Sequence, residues 1–354
     1  MTVYLHGIST ALPPHCLSQD EVRERASMIF GGRYPQFDRL AATFDTAGID
    51  KRYSVVPIDW FSEDHGWADR GAAFMTGAKA MFIEAAQRAL SASGWTGKDV
   101  DCVVTVTSTG IATPSLEAQA FTEMGFREDI MRVPVFGLGC AGGVSGLSTA
   151  QAIAAGQPGA NVLLVVVETC SLAFRADRLQ KADIIASVLF GDGAAAACIS
   201  TTAPSTAQSV TLARGYQKMW PDTIDIMGWD VDETGFGVVF DRSIPAFVSE
   251  EFAQATQGAL KAANLNHGQI DRYVCHPGGA KVVDAIESAL HLDQGSLNAE
   301  RDTLRKAGNM SAPTVMFVMK EVLEAGTTGQ MMSCALGPGF TASFLPFHVS
   351  ERAA

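Results

Sequence analysis

The chain has no run of more than two basic residues, and its 38 acids outnumber its 26 bases, giving a net charge of −12. A balance of that sign repels phosphate backbones and excludes nucleic acid as the main partner. Long apolar runs are missing too. The longest purely aliphatic stretch, Val162 to Val167, is six residues, against the ~20 that a membrane-crossing helix needs. The opening MTVYLHGIST shows no basic segment leading into an apolar one, so no secretory signal is expected and the cytoplasm is the expected compartment. The seven cysteines are odd in number and scattered, with no CxxC pair. That pattern argues against a disulfide scaffold or a zinc ribbon, and no metal site is expected. Charge is scarce at 18% of residues while 47% are hydrophobic, the reverse of a disordered composition and ample for a large core.

What the sequence does hold is a duplication. Residues 86–106 slide 170 places onto residues 256–276, pairing Gln87 with Gln257, Leu90 with Leu260, Asp101 with Asp271 and Val104 with Val274. The same offset sets Gly139-Cys140 opposite Asn309-Met310 and Val106 opposite His276. The spacing predicts two copies of one α/β unit, residues 1–200 and 201–354, joined near Thr201–Ser209. Each copy reads as an amphipathic helix (Met75–Ser91; Ile244–Ala263), a short strand (Cys102–Val106; Tyr273–His276) and a helix of small or apolar residues (Val144–Ala155; Thr314–Ala325). Two apolar strands follow in each (Val162–Val167 and Ala194–Ile199; Met331–Ala335 and Thr341–Phe347). Their near-continuous apolar character predicts sheets covered on both faces. Residues 15–75 read as a mostly helical insertion without a functional signal.

Three residues stand where the copies differ. Cys140, in Gly139-Cys-Ala-Gly-Gly143, lies between an extended segment and a helix. A thiolate there would gain from unpaired N–H groups and the helix dipole, and the glycines leave room for a carbonyl to approach. His276 precedes Pro277, which holds it extended at a strand end, where α/β sheets place their ligand sites. Asn309 precedes a helix for which Ser311 is the expected N-cap. If the copies pack about a pseudo-twofold axis, a thiol, an imidazole and a carboxamide meet across their seam. Gly137-x-Gly139-x-x-Gly142 also fits the dinucleotide fingerprint formally, so a nicotinamide-dependent oxidoreductase is a rival of another class. A non-catalytic dimer scaffold is a third.

These residues and their flanks resemble the type III polyketide synthases, the chalcone synthase-like branch of the thiolase superfamily. The resemblance rests on Gly139-Cys140-Ala-Gly-Gly143, Leu189-Phe-Gly-Asp-Gly-Ala194, His276-Pro-Gly-Gly279, Gly308-Asn-Met-Ser311 and Gly337-Pro-Gly339, in order over nearly the whole chain. It implies a thiolase fold, with two duplicated α/β halves in a five-layered αβαβα arrangement, and a homodimer. It also implies no cofactor beyond the coenzyme A carried on substrates, and iterative condensation of malonyl-CoA onto an acyl-CoA starter held on Cys140. His276 and Asn309 would assist. A single-round ketoacyl synthase is the nearest rival; those relatives usually read GNTS where this chain has GNMS.

The resemblance also assigns a pocket: Phe190 and Val238 as gates, Ala173 on the wall, and Ser108, Thr113, Ser311, Gly337 and Pro338 around it. Plant enzymes carry an aromatic residue at position 238 and often a threonine at position 173. Val238 and Ala173 therefore widen the space and predict a fatty-acyl starter leading to alkyl α-pyrones or resorcinols, as in the bacterial synthases of such products. No basic residue falls in Asp45-Thr-Ala-Gly-Ile-Asp50, where plant enzymes meet the coenzyme A phosphates. Lys51, Arg52 and Lys306 are the substitutes expected, with delivery by an acyl carrier protein as the alternative.

Overall fold

The apolar strands are covered on both faces, and their alternation divides the protein into layers. The structure is a computed structural model that describes residues 1–205 and 208–351. Thr206 and Ala207, within the expected joint, and residues 352–354 lie outside the described residues. The N-terminal half holds β1 (Val3–Ala11), β2 (His15–Ser18), β3 (Lys51–Ser54), β4 (Cys102–Thr107), β5 (Met131–Phe136), β6 (Val162–Thr169) and β7 (Asp192–Ser200). The C-terminal half holds β8 (Val210–Leu212), β9 (Tyr216–Met219), β10 (Met227–Val231), β11 (Phe236–Phe240), β12 (Arg272–Cys275), β13 (Gly329–Gly337) and β14 (Thr341–Val349).

The first half-sheet runs β5-β4-β6-β7-β1 and the second β12-β13-β14-β8; β1 and β8 pair antiparallel, which fuses the two. Between them lie the helices Gly142–Gly156 and Thr314–Glu324, each touching strands of both halves. On β6, Val162, Leu164 and Val166 face these central helices, while Leu163, Val165 and Val167 face the outer helix Trp67–Ser93. On β14, Leu345, Phe347 and Val349 point inward; Ala342 and Phe344 point to the outer helices Ile244–Ala262 and Ala280–Ala289. The period of two therefore feeds three cores from two half-sheets, giving five layers in the order αβαβα.

The segment 15–75 is mostly helical, as expected, but it also carries two short strands. β2 and β3 form an antiparallel hairpin around the helices Gln19–Phe30 and Phe37–Thr46, and the outer helix begins as early as Trp67. Among the described residues no helix is long and apolar enough to cross a membrane, and none form a cluster suited to a metal ion.

Candidate active site

Cys140 lies in the single tight turn Gly139–Ala141 ahead of the central helix Gly142–Gly156. Gly139 has φ of 47°, and a Cβ there would strike Pro338 at 2.5 Å. Only glycine lets this turn close on the β13–β14 connection. The Gly139 N–H donates to the Ser108 hydroxyl at 2.9 Å. At the crossing of the two central helices, a Cβ on Gly143 would meet the Ala312 carbonyl oxygen, and one on Gly142 would meet Ala312 Cβ at 3.0 Å. These glycines bring two helices together. They do not cradle a pyrophosphate, which removes the structural basis of the dinucleotide reading.

His276 comes one residue after β12, its N–H donating to the Cys334 carbonyl at 2.8 Å. Asn309 is held on both sides of its amide: Nδ2 donates to the Gly278 carbonyl at 3.0 Å, and Oδ1 accepts from the Ser311 N–H at 2.8 Å. Its backbone forms a bridge to Phe190, with the Asn309 N–H on the Leu189 carbonyl and the Gly191 N–H on the Asn309 carbonyl. Ser311 is not the N-cap expected. The cap is Pro313, while Ser311 takes the left-handed φ of 59° and lays its hydroxyl 3.4 Å from Cys140 Sγ.

Cys140, His276 and Asn309 line one cavity, with Met227 and Phe240 from the β10–β11 hairpin. The cavity is walled mostly by apolar side chains, and both ring nitrogens of His276 are buried without a partner among the described residues. Burial pushes the Cys140 thiol up to about 11, against the opposing pull of the Ser311 hydroxyl and the Asn309 amide. Burial also pulls the His276 imidazole down to about 3. The thiolate expected from the helix start is thus opposed by loss of water, which favours the neutral thiol and neutral imidazole. A neutral imidazole is a proton acceptor. Transfer of the thiol proton to it keeps the pair at zero net charge.

Glu168 lies at the end of β6. It is fully buried; Oε2 accepts from the Ser108 N–H at 2.9 Å and the Thr109 hydroxyl at 2.7 Å, and Oε1 has no partner among the described residues. Burial raises its carboxyl to about 8. A carboxyl raised above its unfolded value contributes stability at low pH that is lost as pH climbs toward the folded value. Between about pH 5 and pH 8, wild type should therefore lose ground to Glu168→Gln by an amount on the order of 1 kcal/mol or more. Parallel melting curves across that range check this; a difference independent of pH would show the carboxylate ionised in the fold.

A second compartment joins Cys140 and Ser311 to Phe190, Val238, Pro338 and Trp229, whose indole N–H donates to the Ser108 carbonyl at 2.7 Å. Beyond Cys170, Phe190 and Val238 opens a third, which includes Ala173 and is partly open to solvent. Gly337 is packed on the nucleophile turn, where a Cβ would meet the Leu138 carbonyl at 2.6 Å. Thr113 is exposed and lines none of these three compartments. The expected phosphate contacts separate as well. Arg52 is buried with its guanidinium on backbone carbonyls, so it cannot meet coenzyme A phosphates. Lys51 lies over the Tyr53 ring, and Lys306 is paired with Glu321 at 3.1 Å.

A Cys, a His and an Asn drawn from two duplicated halves into one mostly apolar cavity, on a five-layered αβαβα frame, define a condensing enzyme of the thiolase type. The chain belongs to the chalcone and stilbene synthase family: its N-terminal domain model matches residues 2–203 and its C-terminal domain model residues 211–348. It is a type III polyketide synthase, an acyltransferase that performs decarboxylative Claisen condensations on coenzyme A thioesters. Among its relatives, 1,3,6,8-tetrahydroxynaphthalene synthase of Streptomyces peucetius subsp. caesius is 35% identical, covering 96% of this chain and 91% of that protein. The alpha-pyrone synthesis polyketide synthase-like Pks18 of Mycobacterium tuberculosis (strain CDC 1551 / Oshkosh) is 25% identical over 98% of this chain and 91% of its own. The crystal structure of 1,3,6,8-tetrahydroxynaphthalene synthase from Streptomyces coelicolor A3(2) superposes with a TM-score of 0.92 at 28% identity, covering 99% of this chain and all of that one.

Proposed function

We propose that the starter is a long apolar acyl group, carried by Cys140 with its tail in the compartment beyond Phe190 and Val238, and that the products are alkyl α-pyrones or resorcinols. The observation that carries this reading is the lining of that compartment: Leu17, Val22, Ala26, Ile29, Phe61 and Phe174 supply apolar walls next to Ala173. Each methylene of an acyl tail moved there from water contributes ~0.8 kcal/mol.

In the mechanism, Cys140 Sγ attacks the starter thioester while its proton passes to His276. The C–S bond to coenzyme A breaks, and the coenzyme A thiolate takes that proton. Malonyl-CoA then loses carbon dioxide, and charge gathers on its thioester oxygen. Asn309 and His276, lining the same mostly apolar cavity, serve as donors to this oxygen, where such donors act strongly. The enolate carbon attacks the acyl carbonyl on Cys140, and the C–S bond breaks and frees the Cys140 thiolate. That thiolate then attacks the lengthened chain's coenzyme A thioester, releasing coenzyme A and reloading Cys140 for the next round. No cofactor beyond coenzyme A enters these steps. Substrates reach the site as coenzyme A thioesters, and a homodimer is the proposed assembly.

A panel of acyl-CoA starters of increasing length, with products identified by mass, tests the reading. Rising kcat/KM with chain length supports it, and a preference for coumaroyl-CoA overturns it. Ala173→Phe should cost long starters about tenfold or more in kcat/KM, as expected for expelling two or more methylenes, and spare short ones. The likeness to tetrahydroxynaphthalene synthases favours a second reading, a ten-carbon aromatic without an alkyl tail. Its mass would distinguish it in the same panel.

A further inference from the structure

Arg52 is 3% exposed, and no acidic group offsets its charge among the described residues. A buried guanidinium without a carboxylate must find its compensation elsewhere. It finds it at the C-terminal end of the helix Lys181–Leu189. Nη1 donates to the Ser187 carbonyl at 2.5 Å and the Phe190 carbonyl at 3.2 Å; Nη2 donates to the Val188 carbonyl at 2.8 Å and to Gln19 Oε1. The last carbonyls of that helix are thereby all accounted for. Ala186 accepts from the Phe190 N–H, Ser187 and Val188 from Arg52, and Leu189 from the Asn309 N–H. The negative end of a helix dipole is a suitable seat for a cation.

We propose that Arg52 is a positioning residue for the decarboxylation step. Its guanidinium fork fixes the segment Leu189–Gly191, and that segment holds Asn309 by hydrogen bonds from both sides of its backbone. Close packing supports the same chain of contacts, because a Cβ on Gly308 would stand 3.0 Å from the Leu189 carbonyl and 3.3 Å from Arg52 Cβ. The backbone of the Cys140 turn is set by other partners, through the Gly139 N–H on Ser108 and the close approach of Gly139 to Pro338. Loosening Arg52 therefore acts first on Asn309 and meets Cys140 Sγ only through the Ser311 hydroxyl 3.4 Å away. The inference rests on the reading of Asn309 as a donor to the enolate.

The test compares Arg52→Gln and Arg52→Lys with Asn309→Ala and with Arg52→Gln/Asn309→Ala. Two rates are followed, malonyl-CoA decarboxylation and alkylation of Cys140 by iodoacetamide. Arg52→Gln should lower kcat for decarboxylation about tenfold or more, with KM for malonyl-CoA and the alkylation rate each within about threefold of wild type. Arg52→Lys keeps the charge, folds if the glutamine variant does not, and loses the fork, so it should show the same split more mildly. The double variant should be no slower than Asn309→Ala alone. Decarboxylation unchanged in both Arg52 variants, equal loss of both rates, or multiplying effects in the double variant would each overturn the proposal. If Asn309→Ala itself decarboxylates at the wild-type rate, the donor reading of Asn309 has failed, and the role of Arg52 falls with it.

Discussion

Cys140→Ala should reduce polyketide formation by roughly a thousandfold or more, since the proposed mechanism holds the acyl chain on that thiol. The same variant should still release carbon dioxide from malonyl-CoA, because His276 and Asn309 hang from β12 and from the turn before the helix Thr314–Glu324, not from the Cys140 turn. Carbon dioxide and product masses from one incubation check both halves of the expectation. Continued product formation would move the acyl acceptor elsewhere. Cys170 would then be the first residue to examine, since it borders the second and third compartments. Its thiol, however, is pushed well up by burial and by the negative charges of Glu168 and Asp192, which makes it a poor nucleophile.

Asn309→Asp changes few atoms and should slow decarboxylation by more than tenfold; losing one donor of this kind costs ~2.7–4 kcal/mol in comparable sites. The carboxylate could still accept from the Ser311 N–H, but it would face the Gly278 carbonyl with a second acceptor in place of the Nδ2 donor. Its charge would also oppose the enolate as it forms. Decarboxylation at the wild-type rate would take Asn309 out of the chemistry. A fall in decarboxylation alone, with Cys140 still alkylated at the wild-type rate, would separate this effect from general disruption.

The strands were legible because burial on both faces leaves no alternation to obscure: Val162 to Val167 reads as a run since each residue enters one core or the other. That Cys140, His276 and Asn309 would come together in one cavity was legible through the duplication, which turned a search for chemistry into a comparison of equivalent positions. Other features left no mark in the letters. Lys51-Arg52 reads as a pair of phosphate contacts for coenzyme A, yet the hairpin sends Arg52 inward to a helix end that sequence spacing does not place nearby. The hairpin itself is short and largely polar, so neither a helical nor a strand period shows. Ser311 adopts a left-handed backbone that serine seldom takes, and the capping pattern pointed one way while the turn went another. The third compartment draws Leu17, Val22 and Ile29 from the stretch that carried no functional signal.

Where the two central helices cross, Gly143 and Ala312 leave no space for an added methyl group. That crossing works as a gauge block. The sulfur is mounted just ahead of one helix and the carboxamide just ahead of the other, so the thickness of the contact fixes the gap that a thioester must span. Selection for reach between the reacting groups would then fall on two small side chains that never touch a substrate, and repacking the seam would detune the enzyme even with every reactive residue intact.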